Sequence, residues 1–239
     1  MKTKPQISVI VPAANEAECL PQCLASVNGE PHEVIVVDAE SDDDTCAVVK
    51  TLGCRLLSHP RPRRAQQMNL GASQARGRIL LFLHADTLLP SGALTTIVDA
   101  IDRRGAIGGA FSRRYQSRSL TLAITTRLAT LRNRLCGWHL GDQAIFVRRD
   151  IFERLHGYRD VLIFEDLDLS RRLRLLGKTV TLTPPVYSSA RRFAKKGPLR
   201  TTWNDLLLTW QYLLGADPNR LCQPHDDRLK ALQAHERIS

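Results

Sequence analysis

Four short apolar runs alternate with longer amphipathic stretches over the first third of the chain. Ile7-Ser8-Val9-Ile10-Val11 stops at Pro12, Val34-Ile35-Val36-Val37 stops at Asp38, and Cys54 to Leu57 stops shortly before Pro60 and Pro62. The fourth run, Ile79-Leu80-Leu81-Phe82-Leu83, ends in His84, Ala85 and Asp86. Each is too short for an independent helix, and two are rich in β-branched residues, so all four read as strands buried on both faces. Between them, Leu20, Leu24 and Val27 keep helical spacing, and a further helix is expected from about Arg64 to Ala75. Asn15 with Glu18 three residues later predicts a capping box at the first helix. Ser41-Asp42-Asp43-Asp44-Thr45 predicts an acidic entrance to the second. Strands alternating with helices predict an α/β fold, a mostly parallel central sheet flanked by helices. Right-handed crossovers then bring Pro12, Asp38 and Asp86 to one edge, at the carboxyl ends of the strands, where open α/β sheets bind ligands.

Beyond Pro90 the rhythm changes. A helix to about Arg104 precedes a strand from Ala106 to Tyr115, and Leu120 to Leu135 reads as a basic helix. Gly141-Asp142-Gln143 puts two polar side chains before the apolar strand Ala144-Ile145-Phe146-Val147. Phe164-Glu165-Asp166-Leu167-Asp168-Leu169 loads three carboxylates onto the first turn of a helix whose inner face is Leu169, Leu173 and Leu176 and which ends at Gly177. Arg191-Arg192-Phe193-Ala194-Lys195-Lys196 leads into a segment where Trp203, Leu206, Leu207, Trp210 and Leu214 recur at helical spacing. The organisation expected is one domain over residues 1–190 and a basic, helical C-terminal extension over 191–239.

Composition narrows the partners. At 239 residues and 43% hydrophobic, the chain suffices for one large core. A net charge of +10 and a pI near 9.7 favour anionic partners: nucleic acid, anionic lipid or phosphorylated small molecules. Aromatic residues are only 5% and do not interleave with the basic stretches, which counts against a nucleic-acid-binding module. Six scattered cysteines, with no CxxC pair, suggest reduced thiols rather than a zinc site or a disulfide framework. No apolar run approaches the length that spans a bilayer, and a cytosolic protein is expected.

Read in order, Pro12-x-x-Asn15-Glu16, Val37-Asp38, Arg64-x-Gln66-x-x-x-Gly71-Ala72, His84-Ala85-Asp86-Thr87 and Glu165-Asp166-x-Asp168-Leu169 resemble the inverting family 2 glycosyltransferases of the GT-A (Rossmann-like) fold. The resemblance spans Ile7 to Tyr187, and Ser189-Ala190-Arg191-Arg192-Phe193 is similar to the tail of short, stand-alone bacterial members. It implies a hexosyltransferase that moves a sugar from a nucleotide-diphosphate sugar, UDP- or GDP-linked with uridine favoured, to an unidentified acceptor. By the same resemblance Pro12, Asn15 and Glu16 line the nucleoside pocket, Asp38 meets the base, and His84 and Ala85 lie near the ribose. Arg64 reaches toward the phosphates, Asp86 ligates Mg²⁺ or Mn²⁺, and Asp142, Gln143, Glu165 and Arg191 face the donor sugar, the acceptor or the diphosphate.

The chemistry accounts for these residue types. A leaving diphosphate needs positive charge as the anomeric carbon becomes oxocarbenium-like, and a hard cation held by a carboxylate supplies it. Inversion by direct displacement requires one base on the opposite face, and Asp166 is the residue chosen, because clustered acids raise one another's pKa. His84 stands where the family has the first acid of an Asp-x-Asp pair. An imidazole hydrogen-bonds but adds no negative charge, so weaker metal affinity is expected, and direct ligation by His84 stays open. The Trp- and Leu-rich segment either packs on the domain or lies on an anionic membrane surface, presenting the site to a lipid-linked acceptor. Two other classes are carried alongside. A nucleotidyltransferase would have a Gly-rich loop after the first strand, and Pro12-Ala13-Ala14-Asn15-Glu16 has no glycine; a basic nucleic-acid-binding protein rests on charge alone.

Overall fold

The structure, a computed structural model, is described for residues 5–221 apart from 31 and 118. Met1 to Lys4, Cys222 and most of the polar tail expected in the C-terminal extension lie outside the described residues. The first half runs β1 (Ile7–Ala13), α1 (Leu20–Ala25), β2 (His32–Asp38), α2 (Thr45–Thr51), β3 (Arg55–Ser58), α3 (Arg64–Ser73), β4 (Ile79–Phe82), β5 (Thr87–Leu88) and α4 (Ala93–Asp102). The second half runs β6 (Gly108–Tyr115), α5 (Leu120–Cys136), a 3-10 turn at Gly141–Gln143, β7 (Ile145–Arg148), α6 (Arg149–Arg154), α7 (Glu165–Leu176), β8 (Thr179–Ser188), α8 (Arg191–Lys196), α9 (Pro198–Leu213) and α10 (Pro218–Leu221).

The described strands form a single sheet in the order β3-β2-β1-β4-β7-β6-β8-β5. Its first four are parallel, as the alternation of strands and helices predicts. Pairing Ala13 with Asp38 brings the ends of β1 and β2 level. β7 enters between β4 and β6 in the opposite sense, because the chain reaches it from the edge where β4 ended. Successive residues of β1 serve two cores. Val9 and Val11 face α1, α2 and α4 with Leu20, Leu94 and Ile97, while Ile10 faces α3, α6 and α7 with Met68, Phe152 and Leu169. The second layer includes an aromatic cluster in which Phe82 lies 5.1 Å from Phe152 and 4.9 Å from Tyr158, ring centre to ring centre. At Gly71, α3 approaches β1 so closely that a Cβ would collide with Ile10.

One local expectation fails, and one strand goes unpredicted. The first helix begins at Leu20 rather than at a capping box, since Asn15 adopts a left-handed backbone (φ +55°) and turns its side chain to the next loop. β8 does not stand out in the sequence because Pro184 and Pro185 interrupt it. Proline cannot donate to a ladder, and the β6–β8 register accordingly shifts between Phe111 and Arg113 to step past that point.

Gln67 ties helix to sheet. Its buried amide donates to the carbonyls of Ala13 (3.0 Å), the last residue of β1, and Val37 (2.8 Å), the last but one of β2. An apolar substitute removes the donor to the Val37 carbonyl and one of the two donors to the Ala13 carbonyl, which keeps the Ala39 N–H, so Gln67→Leu is expected to destabilise the chain by about 1–3 kcal/mol in urea unfolding. Gln66→Leu, which removes only a surface bond to Asp160, is the control and should change stability far less.

Candidate active site

The loops after β1 and β2 form one wall of the edge. The Asn15 backbone N–H donates to Ser41 Oγ (2.8 Å), its side-chain oxygen accepts from the Asp42 N–H (2.9 Å), and the Glu16 N–H donates to Thr45 Oγ1 (2.9 Å). Asp38 is almost fully buried, and its carboxylate accepts from the Ser41 N–H (3.1 Å) and hydroxyl (2.5 Å). Asp38 thereby closes its own turn as an Asx cap. Half-buried Pro12 ends the apolar part of β1 beside it.

The second wall is the corner after β4. Asp86 keeps a half-exposed carboxylate, and its backbone carbonyl accepts from the Ser189 N–H (3.1 Å) at the end of β8. That bond carries Arg191 to the corner, where its guanidinium donates to Glu16 (2.7 Å) and lies 3.5 Å from Asp86 Oδ2. Ala85 is buried, and the His84 carbonyl accepts from the Thr87 N–H. Among the described residues there is no group of three His, Cys, Asp or Glu side chains able to cage a metal ion. One accessible carboxylate fits Mg²⁺ or Mn²⁺ nevertheless, since these ions take one or two carboxylates and draw their other oxygens from phosphate and water. A cation already sits against that carboxylate in the form of Arg191.

The third wall is the start of α7. Phe164, the residue before it, holds a left-handed backbone (φ +65°), unusual for an aromatic, and this aims the first turn of α7 back at the edge. Glu165 is buried and pairs with Arg64 at 3.3 Å. Asp166 accepts from the backbone N–H of Gly141 through one oxygen and from the Leu167 N–H (2.6 Å) through the other. Burial first, and then the Glu165 carboxylate beside it, push Asp166 up to about 7. Asp168 turns away to Arg172 (2.7 Å) and Arg159 (3.2 Å) and serves the helix rather than the site. Gly141 is wedged between two site residues: a Cβ there would lie within 3 Å of the His84 ring and 3.1 Å of Asp166. Only glycine lets the 3-10 turn pass so close to both.

That turn also delivers Asp142 and Gln143, with opposite outcomes. Gln143 is buried; its amide donates to the Phe111 carbonyl (3.0 Å) while its oxygen accepts from the Leu140 N–H (2.9 Å). It therefore holds the turn and does not reach into the site, contrary to expectation. Asp142 packs against Arg113, with the Tyr115 hydroxyl donating to it at 3.3 Å. Burial alone would raise Asp142, but the Arg113 guanidinium outweighs it and holds the carboxyl below its usual range. Neither Arg113 nor Tyr115 is singled out by the sequence reading, although their i, i+2 spacing on one strand face was a usable signal. The edge thus gathers Glu16, Asp86 and Arg191 on one side, Arg64, Glu165 and Asp166 on another, and His84 and Asp142 between them. Pro12, Asn15 and Asp38 shape the wall beyond.

Comparison with known proteins bears on family and fold. The profile of a family described as glycosyl transferase family 2 matches residues 8–155. An uncharacterized protein of Mycobacterium tuberculosis is 30% identical over 252 residues, covering 90% of this chain and 78% of the relative. Among solved structures, S. aureus TarS in complex with UDP-GlcNAc superposes with a TM-score of 0.65 at 19% identity, over 77% of this chain and 58% of that one. Mannosyltransferase PcManGT from Pyrobaculum calidifontis, in complex with GDP-Man and Mn²⁺, gives a TM-score of 0.61 at 25% identity, over 78% of this chain and 56% of that one. The chain therefore spans under two thirds of either solved structure. At 19% identity the likeness to TarS is one of GT-A fold.

The raised Asp166 leaves a thermodynamic signature. The folded chain retains a proton that the unfolded chain gives up in the ordinary carboxylate range, so the stability it contributes is present in acid and is lost as pH rises through about 7. Asp166→Asn cannot ionise and keeps an oxygen for the Gly141 N–H. It is expected to melt above the wild-type chain at about pH 8, with the gap closing toward about pH 5. A melting difference independent of pH would show that this carboxyl is not perturbed.

Proposed function

The chain belongs to glycosyl transferase family 2 and is a glycosyltransferase, and from this premise we propose that it performs a metal-dependent, inverting transfer from a UDP- or GDP-linked sugar with Asp166 as the base. Membership of the family decides in favour of the transferase over the nucleotidyltransferase and nucleic-acid-binding readings. The observation that carries the finer proposal is the state of Asp166. A carboxylate pushed up to about 7, oriented by a backbone N–H and facing the same edge as Asp86, is matched to take a proton near neutral pH.

In the reaction proposed, an acceptor hydroxyl hands its proton to Asp166 as its oxygen forms the new bond to the anomeric carbon. The bond from that carbon to the diphosphate oxygen breaks on the opposite face, and the configuration inverts. Glu165, beside Asp166, is paired with Arg64. Asp86 would hold Mg²⁺ or Mn²⁺, which supplies positive charge to the departing diphosphate. Arg191 stands at the same corner with a fork that suits phosphate oxygens, so donor binding would draw it from Glu16 and Asp86 onto the diphosphate. His84 offers a hydrogen bond without negative charge where an acid is usual, which leaves Asp86 as the carboxylate for the cation. Pro12, Asn15, Glu16 and Asp38 would form the nucleoside pocket, and Asp142, paired with Arg113, faces the sugar. PcManGT, described with GDP-Man and Mn²⁺, supports a hard cation with a nucleotide-diphosphate sugar.

A panel of UDP- and GDP-sugars, with and without Mn²⁺, tests donor and metal together. The matching donor should raise the melting temperature, more so with Mn²⁺, and Asp86→Asn should remove the Mn²⁺-dependent part. No shift with any nucleotide sugar would defeat the proposal.

Asp166→Asn should keep that donor shift yet lower turnover of the donor, including its slow hydrolysis, by about 10²–10⁴-fold. Wild-type turnover should climb with pH through about 7, the deprotonated carboxyl being the active form. A variant at near wild-type rate would mean that another carboxylate is the base.

A further inference from the structure

Helices α5 and α9 pack against each other and are built inside out. On α5 the large apolar residues Leu120, Ile124, Leu128, Leu131 and Leu135 are all exposed, the least so at 54%. At about 100° per residue they fall in one stripe some 80° wide, and the buried Leu122, Thr126 and Asn133 lie on the opposite side. The same holds for α9. Leu199, Trp203, Leu206, Leu207, Trp210 and Leu214 are 49–80% exposed, whereas Thr201 is buried and Asp205 and Tyr212 face the protein. A helix on a globular protein in water turns its apolar stripe inward. Here two neighbouring helices do the reverse, giving an exposed apolar surface larger than scattered surface leucines account for.

We propose that α5 and α9 together form a docking surface for an anionic lipid bilayer. Charge supports a membrane over an uncharged apolar partner. α5 carries Arg127, Arg132 and Arg134 with no acid, and Arg127 and Arg134 are exposed beside the stripe. On α9, Arg200 is exposed, and the single acid, Asp205, is already paired with Arg192. Leucine and tryptophan on an outer face flanked by arginine is the composition of an interfacial helix. The two helices run 17 and 16 residues, and no helix among the described residues is long and apolar enough to cross a membrane. The surface therefore lies on the bilayer rather than through it.

The inner side of α9 meets residues next to the candidate site. Asp205 pairs with Arg192, next to Arg191, and Tyr212 stacks on Phe164 at 4.9 Å, immediately before Glu165 and Asp166. Docking would hold the cleft at the level of the headgroups. This rests on the transferase reading only for its benefit, namely that an acceptor carried in the same bilayer meets Asp166 without leaving it.

Flotation of the full chain with phosphatidylglycerol-containing vesicles and with pure phosphatidylcholine vesicles, no substrate present, tests the surface separately from the chemistry. The wild-type chain should float with the anionic vesicles and shift its tryptophan emission to the blue, two of its three tryptophans being on α9. Ile124→Ser with Leu128→Ser, and Trp203→Ala with Trp210→Ala, should each weaken vesicle binding by about tenfold or more while leaving the melting temperature unchanged. Because those residues are exposed, loss of binding with an intact melt is not loss of fold. Absence of the wild-type chain from both lipid fractions would overturn the proposal. So would a dimer in light scattering that the same substitutions dissolve, since a second copy would then cover the face.

Discussion

At the carboxyl edge of a parallel sheet the strands outrun their partners, and the last backbone carbonyls need donors from somewhere else. In this chain one side chain answers for two strands. Gln67 reaches from α3 to the carbonyls of Ala13, the last residue of β1, and Val37, the last but one of β2, and Gly71, one turn further on, lets the helix lie close enough to do so. With those strand ends held, the loops behind them can be stitched together through Asn15, Ser41 and Thr45 rather than through the sheet. The site depends on this arrangement, since an edge with unsatisfied carbonyls would fray or admit water.

The same edge is where the chain accepts unfavourable local states. Phe164 sits in a left-handed conformation, Asp166 carries a carboxyl against its natural ionisation, and two acids adjoin at the start of α7. A fold selected for stability alone would avoid all three. Arg64 limits the cost by pairing with Glu165, while Asp166 is held by backbone N–H groups and has no arginine bonded to it among the described residues. At the opposite wall Arg191 plays a comparable part for Glu16 and Asp86. Each wall thus combines clustered negative charge with one arginine, a balance that an incoming diphosphate and its cation would rearrange.

The periphery shows a different kind of departure. α5 and α9 reverse the usual polarity of surface helices, and the polar inner face of α9 meets residues next to the site through Asp205 and Tyr212. Through α9 the proposed docking surface is joined to residues that adjoin the active edge.

Much of this was legible in the residues. The apolar runs ending at Pro12, Asp38 and Asp86, the carboxylates opening α7 and the helical spacing of Trp203 to Leu214 depend on local pattern, which periodicity and turn chemistry record directly. From such patterns the parallel half of the sheet and the convergence of strand ends followed. Long-range pairing was not recorded there. Nothing local distinguishes Gln67 from Gln66, yet one closes two strands and the other meets only Asp160. Nothing local says that Gln143 turns inward while Asp142 meets Arg113, or that Arg191 returns to Glu16 across 175 residues. The antiparallel entry of β7 and the interrupted pairing of β8 are likewise decided by which edge the chain arrives from. Sequence by itself determined the elements and the kinds of chemistry they carry, because those follow from neighbours a few residues apart. Tertiary structure alone decided which carboxylate is pushed up by burial and a neighbouring acid, and which is tied off by an arginine, because that depends on charges and backbone groups brought together from distant parts of the chain.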